Sequence, residues 1–185
     1  MIITIGGLPG TGKGTVGRKL AKFLNYSFVS GGDLFRKVAE KNGMTMEEFD
    51  VYMKKNPEAR VDKEIDSLQK KMGETDNNFV LESRLAWYFI PDSIKIKLDA
   101  EEDERIRRIS NDDNNDRIAY QKESFEKTKQ KTKERTRVHQ EKIFEIYGIK
   151  DMMADEHFDY IVDTTNLNPD EVFEKILKYV RNREK

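Results

Sequence analysis

A glycine-rich segment near the N-terminus has the composition of a phosphate-binding loop. Residues 7–15 read Gly-Leu-Pro-Gly-Thr-Gly-Lys-Gly-Thr, which contains the spacing G-x-x-x-x-G-K. Glycines allow a backbone to wrap around an anion with successive N–H groups pointing inward, and the N-terminus of a following helix adds further donors. Lys13 would bring an ammonium group to the β- and γ-phosphates of a nucleotide.

The residue after the lysine departs from the strict pattern of such loops. Gly14 stands where Ser or Thr is usual, and Thr15 follows one position later. We therefore do not assume that the Thr15 hydroxyl binds Mg²⁺ directly. An ordinary glycine-rich turn is the alternative, but the apolar run before the loop and the amphipathic segment after it favour phosphate binding.

Five short apolar runs, separated by segments with helical spacing, predict an α/β fold. The runs are residues 2–5, 26–29, 79–81, 94–98 and 160–162. This alternation predicts a three-layer α/β/α domain over residues 1–185, with a five-stranded parallel sheet covered by helices on both faces. Ligands of such sheets bind beyond the carboxyl ends of the strands.

Local patterns predict where some helices begin and end. Thr45 and Glu48 have the spacing of a capping box at the start of a helix. Asp99 is expected to cap the helix that carries Arg105 and Arg108. A long charged helix running to residue 147 should end at Gly148.

Composition excludes several classes of function. The chain has 34 Lys and Arg against 35 Asp and Glu, so no overall positive field attracts nucleic acid or an anionic membrane. With no cysteine and only two histidines, thiol catalysis and Cys-ligated zinc are excluded and a His-based metal site is disfavoured. No run approaches the ~20 apolar residues of a membrane span, and we expect a cytoplasmic protein.

Several segments resemble a known family. The form of residues 7–15 is that of adenylate kinases and their relatives, and residues 29–36 resemble the family segment that leads to an acceptor-phosphate arginine. Residues 79–86 and 133–149 resemble the archaeal-type cytidylate kinases within this P-loop nucleoside monophosphate kinase family. The resemblance implies transfer of the γ-phosphoryl group of ATP to CMP or dCMP, with Mg²⁺. It also implies a helical acceptor-binding insertion at 31–75 and a lid region at 109–130.

Arginines are expected to grip the phosphates, because phosphoryl transfer needs positioning and charge neutralisation and a guanidinium binds phosphate bidentately. The resemblance implies that Arg36 and Arg84 hold the acceptor phosphate while Arg105, Arg108 and Arg135 close over the donor and transferred phosphates. The alternative for each arginine is a solvated surface charge.

Predicted catalytic residues are Lys13, Arg84, Arg108 and Arg135. Predicted ATP-binding residues are Gly7, Leu8, Pro9, Gly10, Thr11, Gly12, Lys13, Gly14, Thr15 and Arg105.

Carboxylates are expected to help bind Mg²⁺ and to recognise the base of the acceptor nucleotide. Glu82 ends the third strand and could act on the water shell of Mg²⁺, with Thr15 as an indirect partner. Asp62 and Asp66 lie four residues apart on one helix face. Either could accept from the cytosine amino group while Arg84 donates to the base, or both could instead pair with lysines in solvent. Predicted acceptor-binding residues are Ser30, Asp33, Arg36, Asp62, Asp66 and Arg84.

Three positions depart from the resembled family. Ser83 replaces a glycine and could narrow the acceptor pocket, while Lys142 stands where the lid helix usually carries an arginine. His139 replaces an acidic residue of that helix.

Other functions remain open from the sequence. Within the class, an adenylate kinase or a small-metabolite kinase is possible. From another class, an RNA-associated P-loop ATPase would use residues 122–142, which hold eight basic side chains against four acidic ones. That stretch has a single aromatic residue, Phe125, so it lacks the stacking platforms that single-stranded RNA requires. We expect a monomer that binds small-molecule nucleotides, and neither nucleic acid nor a membrane.

Overall fold

Short runs of apolar residues form a parallel sheet at the centre of the computed structural model, which describes residues 1–56, 61–111 and 124–183. The strands are β1 (Ile2–Gly6), β2 (Ser27–Ser30), β3 (Phe79–Glu82), β4 (Ile94–Asp99) and β5 (Tyr160–Asp163). Their spatial order is β2-β3-β1-β4-β5 and every pairing is parallel. This arrangement confirms the predicted five-stranded parallel sheet and gathers the carboxyl ends of the strands at one edge.

The two faces of the sheet are covered by different helices. Ile3 and Ile5 of β1 face the cluster made with α1 (Lys13–Leu24) and α8 (Pro169–Arg183), which includes Leu20 and Ile176. The other face of β3, with Phe79 and Leu81, packs against α4 (Val61–Thr75) and α5 (Ala86–Phe89). Consecutive residues Ile3 to Ile5 are all buried, as a strand covered on both faces requires.

Three helices follow β2 at the edge where the strands end. They are α2 (Gly31–Lys41), α3 (Met46–Lys55) and α4 (Val61–Thr75). The predicted capping box is present: Glu48 N donates to Thr45 Oγ1 at 3.2 Å, and Thr45 N donates to Glu48 Oε2 at 2.8 Å. Phe49, fully buried, packs with Val38 and Ala39 of α2, so these helices share a small core of their own.

The second half of the chain contributes α5 (Ala86–Phe89), α6 (Glu102–Ser110), α7 (Phe125–Tyr147) and a short 3₁₀ helix (Asp155–His157). Gly148 ends α7 with a left-handed backbone at φ 71°, as predicted. Most of the predicted lid region, 112–123 of 109–130, lies outside the described residues. Within the described ranges, no helix combines the length and apolar character needed to cross a membrane.

The predicted cap of α6 is wrong. The helix begins two residues later than expected, with Glu101 as its N-cap residue, and Asp99 Oδ1 instead accepts from Ala100 N at 2.9 Å. Glu101 N donates to Thr165 Oγ1 at 3.0 Å, in the segment after β5. Thr165, which follows the neighbouring strand β5, therefore accepts the hydrogen bond from Glu101 N that Asp99 was expected to accept.

Burial in the central strand should dominate stability. We expect Ile3→Ala to lower the free energy of unfolding by about 2–5 kcal/mol, because Ile3 is fully buried and leaves a cavity. Ile161→Ala is the matched control, since Ile161 lies on edge strand β5 and is 38% exposed, and it should cost less than about 1 kcal/mol. Urea unfolding followed by circular dichroism measures both, and equal losses would contradict the packing described.

Candidate active site

The glycine-rich loop connects β1 to α1 and is seated tightly between two other elements. Gly7 has φ 144°, and a Cβ atom there would overlap the carbonyl oxygen of Leu98 at the end of β4. Gly10 has φ 86°, and a Cβ atom there would overlap the backbone of Arg105 in α6. No described atom lies within 4 Å of a Cβ position on Gly12, so the loop is open to a ligand on that side.

The start of α1 offers donors to an anion. Its N-cap residue is Gly12, so no side chain caps the helix, and its first turn carries no acidic residue. The terminal N–H groups and the positive end of the helix dipole therefore favour phosphate. Thr15 is exposed in this first turn.

Lys13 folds back over the loop. Its Nζ donates to the carbonyl oxygen of Leu8 at 2.9 Å, and Thr11 Oγ1 donates to the same oxygen at 2.9 Å. Lys13 Nζ also lies 3.9 Å from Glu82 Oε1, at the end of β3. The Lys13 side chain is only 10% exposed, so its ammonium is held close to the loop rather than in solvent.

Glu82 lies where a water-coordinated cation could be held beside the phosphates. Its side chain is 18% exposed, and a Cβ atom on Gly14 would lie 3.7 Å from Oε2. The carboxylate thus faces the start of α1 across a residue that has no side chain. Carboxylate and hydroxyl oxygens are the ligands that Mg²⁺ prefers, so Glu82 and Thr15 are compatible with this ion.

Two arginines of α6 hold the outer side of the loop. Arg105 donates from Nε to the carbonyl of Ala100 at 3.1 Å and from Nη1 to that of Pro9 at 3.4 Å. Its guanidinium is buried, and burial lowers the pKa of Arg105. Arg108 donates to Gly10 O at 3.5 Å and to Thr164 O at 2.6 Å. Any contact of these arginines with ATP stays a prediction.

Thr164 is a site residue that the arginine-centred reasoning did not single out. It is buried and follows β5, and its one hydroxyl proton is shared between Asp99 O at 3.0 Å and Thr11 O at 3.3 Å. It also accepts from Arg108 Nη1 at 3.0 Å. The end of β5, the glycine-rich loop and α6 are therefore joined through one threonine.

Ser30, Asp33 and Arg36 form one hydrogen-bonded unit at the end of β2. Ser30 Oγ accepts from Asp33 N at 3.1 Å, and Asp33 Oδ2 accepts from Ser30 N at 2.8 Å, which makes a reciprocal cap for α2. Arg36 pairs with Asp33 Oδ1. Burial would raise the pKa of Asp33, but the hydrogen bonds from Ser30 and Arg36 outweigh it and hold the pKa below its ordinary value.

A cationic cluster surrounds His139 on α7. Arg135 and Lys142 come from the same helix and Arg84 from the segment after β3. Burial and the positive charges of these three residues lower the pKa of His139 to about 3, so the imidazole is neutral near pH 7. The adjoining cavity of about 620 Å³ is lined by Gln130, Lys131, Glu134, Arg135, Val138, His139 and Lys142. The fold thus unites two predicted catalytic arginines around one imidazole.

The predicted base-binding aspartates are on α4. Asp66 Oδ2 accepts from the hydroxyl of Tyr147, at the end of α7, and Oδ1 accepts from Gln69 Nε2 at 3.4 Å. Asp62 lies in the first turn of α4, and its side chain is outside the described part of the structure. Neither Gln69 nor Tyr147 had been predicted as a site residue, because no spacing in the sequence links α4 to the end of α7.

Known proteins provide an independent comparison. A family model described as an AAA domain matches residues 3–133. The cytidylate kinase of Methanosphaera stadtmanae is 33% identical over 184 residues, which cover 99% of this chain and 99% of that protein. The cytidylate kinase of Archaeoglobus fulgidus is 34% identical, with 97% of this chain and 94% of that protein covered.

A solved structure supports the architecture. Shikimate kinase from Bacteroides thetaiotaomicron superposes with a TM-score of 0.66 over 98% of each chain, at 17% identity. At that identity the likeness concerns the fold alone. It agrees with the three-layer arrangement of the helices and the sheet.

The neutral state of His139 should make stability depend on pH. The unfolded chain protonates His139 near pH 6.5 and the folded chain only near pH 3, so between these values the unfolded state binds more protons. His139 therefore lowers stability as the pH falls below about 6.5, by at most about 1.4 kcal/mol per pH unit. Melting temperatures from pH 7.5 to 4.5 should fall more steeply for the wild type than for His139→Gln. Parallel curves would contradict the assignment.

Proposed function

The chain belongs to the cytidylate kinase family, and we propose that it transfers the γ-phosphoryl group of ATP to CMP or dCMP, giving ADP and CDP or dCDP. The matches to two cytidylate kinases over nearly the whole chain confirm the family resemblance of the sequence. The observation that carries the proposal is the presence of two candidate anion sites in one molecule. The loop around Lys13 suits a polyphosphate, and the Arg84 and Arg135 cluster suits a second phosphate.

At the donor end, the loop would bind the β- and γ-phosphates of ATP through its N–H groups and the start of α1. Lys13 Nζ would exchange the Leu8 carbonyl for phosphate oxygens, which are stronger acceptors because they are charged. As negative charge shifts toward the leaving ADP, the ammonium neutralises it without any covalent chemistry.

At the acceptor end, Arg84 and Arg135 would hold the phosphate of the nucleoside monophosphate. Both guanidinium groups can bind phosphate bidentately, and the neutral His139 beside them adds no charge of its own. Arg36 would have to break its ion pair with Asp33 to join them. That ion pair is exposed, so its loss costs little. This proposal keeps the predicted roles of Arg36 and Arg84 and moves Arg135 from the donor end to the acceptor phosphate.

Bound Mg²⁺ would neutralise charge on the transferred phosphates, and Thr15 and Glu82 are the residues that would hold it through water. Glu82 would also keep Lys13 oriented, because the two groups face each other at 3.9 Å. Helices α2–α4 and the region 109–130 would close over both nucleotides and exclude water. We further propose that the protein works as a cytoplasmic monomer without nucleic acid.

An acceptor panel tests the activity. With ATP and Mg²⁺, we expect CMP and dCMP to drive ADP formation, and UMP, AMP and shikimate to do so at less than about a tenth of the CMP value of kcat/KM. Lys13→Met should reduce kcat by about 10²-fold or more, because it removes a transition-state charge. Lys19→Met is the matched control, since Lys19 is also on α1 but pairs with Asp170 in solvent. Absence of acceptor-dependent ADP formation would overturn the proposal.

Addition of RNA separates the enzyme from an RNA-associated ATPase. We expect single-stranded RNA to leave the rate of ADP formation unchanged in the presence and absence of CMP. Stimulation of the rate by RNA, with binding that weakens steeply as salt rises, would favour the ATPase instead.

Removal of the Glu82 charge should change the demand for metal. We expect Glu82→Gln to raise the Mg²⁺ concentration for half-maximal rate by about tenfold, because groups that orient metal-bound water tune affinity by that order. The KM for CMP should stay within about twofold. Glu74→Gln, at an exposed position near the end of α4, is the control. An unchanged Mg²⁺ requirement in Glu82→Gln would remove Glu82 from the metal site.

A further inference from the structure

Gln69 carries a buried acceptor that is unpaired within the described ranges of the chain. The side chain lies on α4 at 2% exposure, and its Oε1 has no hydrogen-bond partner among the described residues. The orientation of the Gln69 amide follows from its neighbour Asp66. A carboxylate can only accept hydrogen bonds, so the amide group that lies 3.4 Å from Asp66 Oδ1 is the donor Nε2. A buried unpaired acceptor is costly, which makes Oε1 a place where a donor of a ligand would be bound.

Tyr147 holds the other oxygen of the same carboxylate. Its hydroxyl donates to Asp66 Oδ2, and its ring lies 5.5 Å from the rings of both Tyr88 and Phe89. The ring contacts fix the position of the hydroxyl, and the hydroxyl in turn fixes the carboxylate. Asp66 Oδ1, whose contact with Gln69 is long, is thereby directed to the same side as the amide.

The distance along α7 suits a nucleotide that lies parallel to this helix. His139, at the centre of the cationic cluster, and Tyr147 are eight positions apart on one helix. At 1.5 Å per residue their separation along the axis is about 12 Å. A ligand with a phosphate at one end and a base at the other would thus meet cations near His139 and acceptors near Tyr147.

We propose that Gln69 and Tyr147 determine base specificity together with Asp66. Gln69 Oε1 and Asp66 Oδ1 accept the two N–H groups of the 4-amino group of cytosine, and Tyr147 is a positioning residue that orients Asp66. This proposal rests on the proposed function. Uracil presents a carbonyl oxygen at the same position, which would face these acceptors and leave both that oxygen and the buried Gln69 Oε1 without a donor.

Steady-state kinetics with CMP, UMP and the monophosphate of N4,N4-dimethylcytidine test this assignment. For the wild type we expect the dimethyl compound, which has no N–H at this position, to be as poor an acceptor as UMP. Gln69→Met keeps the length of the side chain and removes the acceptor. It should raise the KM for CMP by about tenfold, leave kcat within about twofold, and lower the CMP-to-UMP ratio of kcat/KM by at least about tenfold.

Tyr147→Phe should act in the same direction through Asp66, with a threefold to tenfold rise in the KM for CMP. Combined with Asp66→Asn, it should add nothing further, because Tyr147 works only through that carboxylate. Tyr88→Phe is the matched control: it removes a hydroxyl from a ring in the same aromatic cluster and should leave the CMP-to-UMP ratio unchanged.

The outcomes separate this inference from the proposed function. A wild type that phosphorylates neither CMP nor dCMP refutes the function itself. An active wild type whose CMP-to-UMP ratio is unchanged in Gln69→Met and Tyr147→Phe overturns the inference and leaves the function standing. Equal losses for both acceptors would assign a structural role only and would also overturn it. If Gln69→Met fails to fold in a melting experiment, Tyr147→Phe and its pairing with Asp66→Asn decide the question.

Discussion

The approach of two glycine backbones to neighbouring elements is the constraint on which the rest of this site depends. Gly7 lies against the end of β4 and Gly10 against α6, at positions where any side chain would overlap backbone atoms. Hydrogen bonds from Arg105 to Pro9 O and from Thr164 to Thr11 O hold the same loop from outside. The phosphate cradle is therefore shaped by packing before a nucleotide arrives, which is the condition for effective electrostatic stabilisation of charge.

Charge in this molecule is local rather than global. The formal net charge is −1, yet Arg84, Arg135 and Lys142 converge on one imidazole that burial and their own field keep neutral. A protonated residue at position 139 would make the local field more positive, whereas an acidic residue would make it less positive. The neutral side chain adds no charge of its own to this cluster.

The sequence allowed the sheet and the loop to be predicted because both depend on local composition. β1 is a run of mostly apolar residues buried on both faces. The spacing G-x-x-x-x-G-K has few uses other than phosphate binding. The start of α6 was mispredicted because Thr165, distant in the chain, accepts from Glu101 where Asp99 was expected to act. The contact between Asp66 and Tyr147 spans 81 positions, and the electrostatic effect of Arg84 on His139 also joins separate elements. Such pairings arise from packing and leave no periodic signal in a single sequence.

The 23-residue helix α7 has one further consequence, for how this enzyme could diverge. It bears the cationic cluster around His139 and the Tyr147 hydroxyl about two turns apart. Substitutions separated by more than about 7–10 Å usually act additively. Substitutions at the Tyr147 end are therefore expected to leave the cluster around His139 unchanged, so a lineage could alter one end of α7 and inherit the other intact.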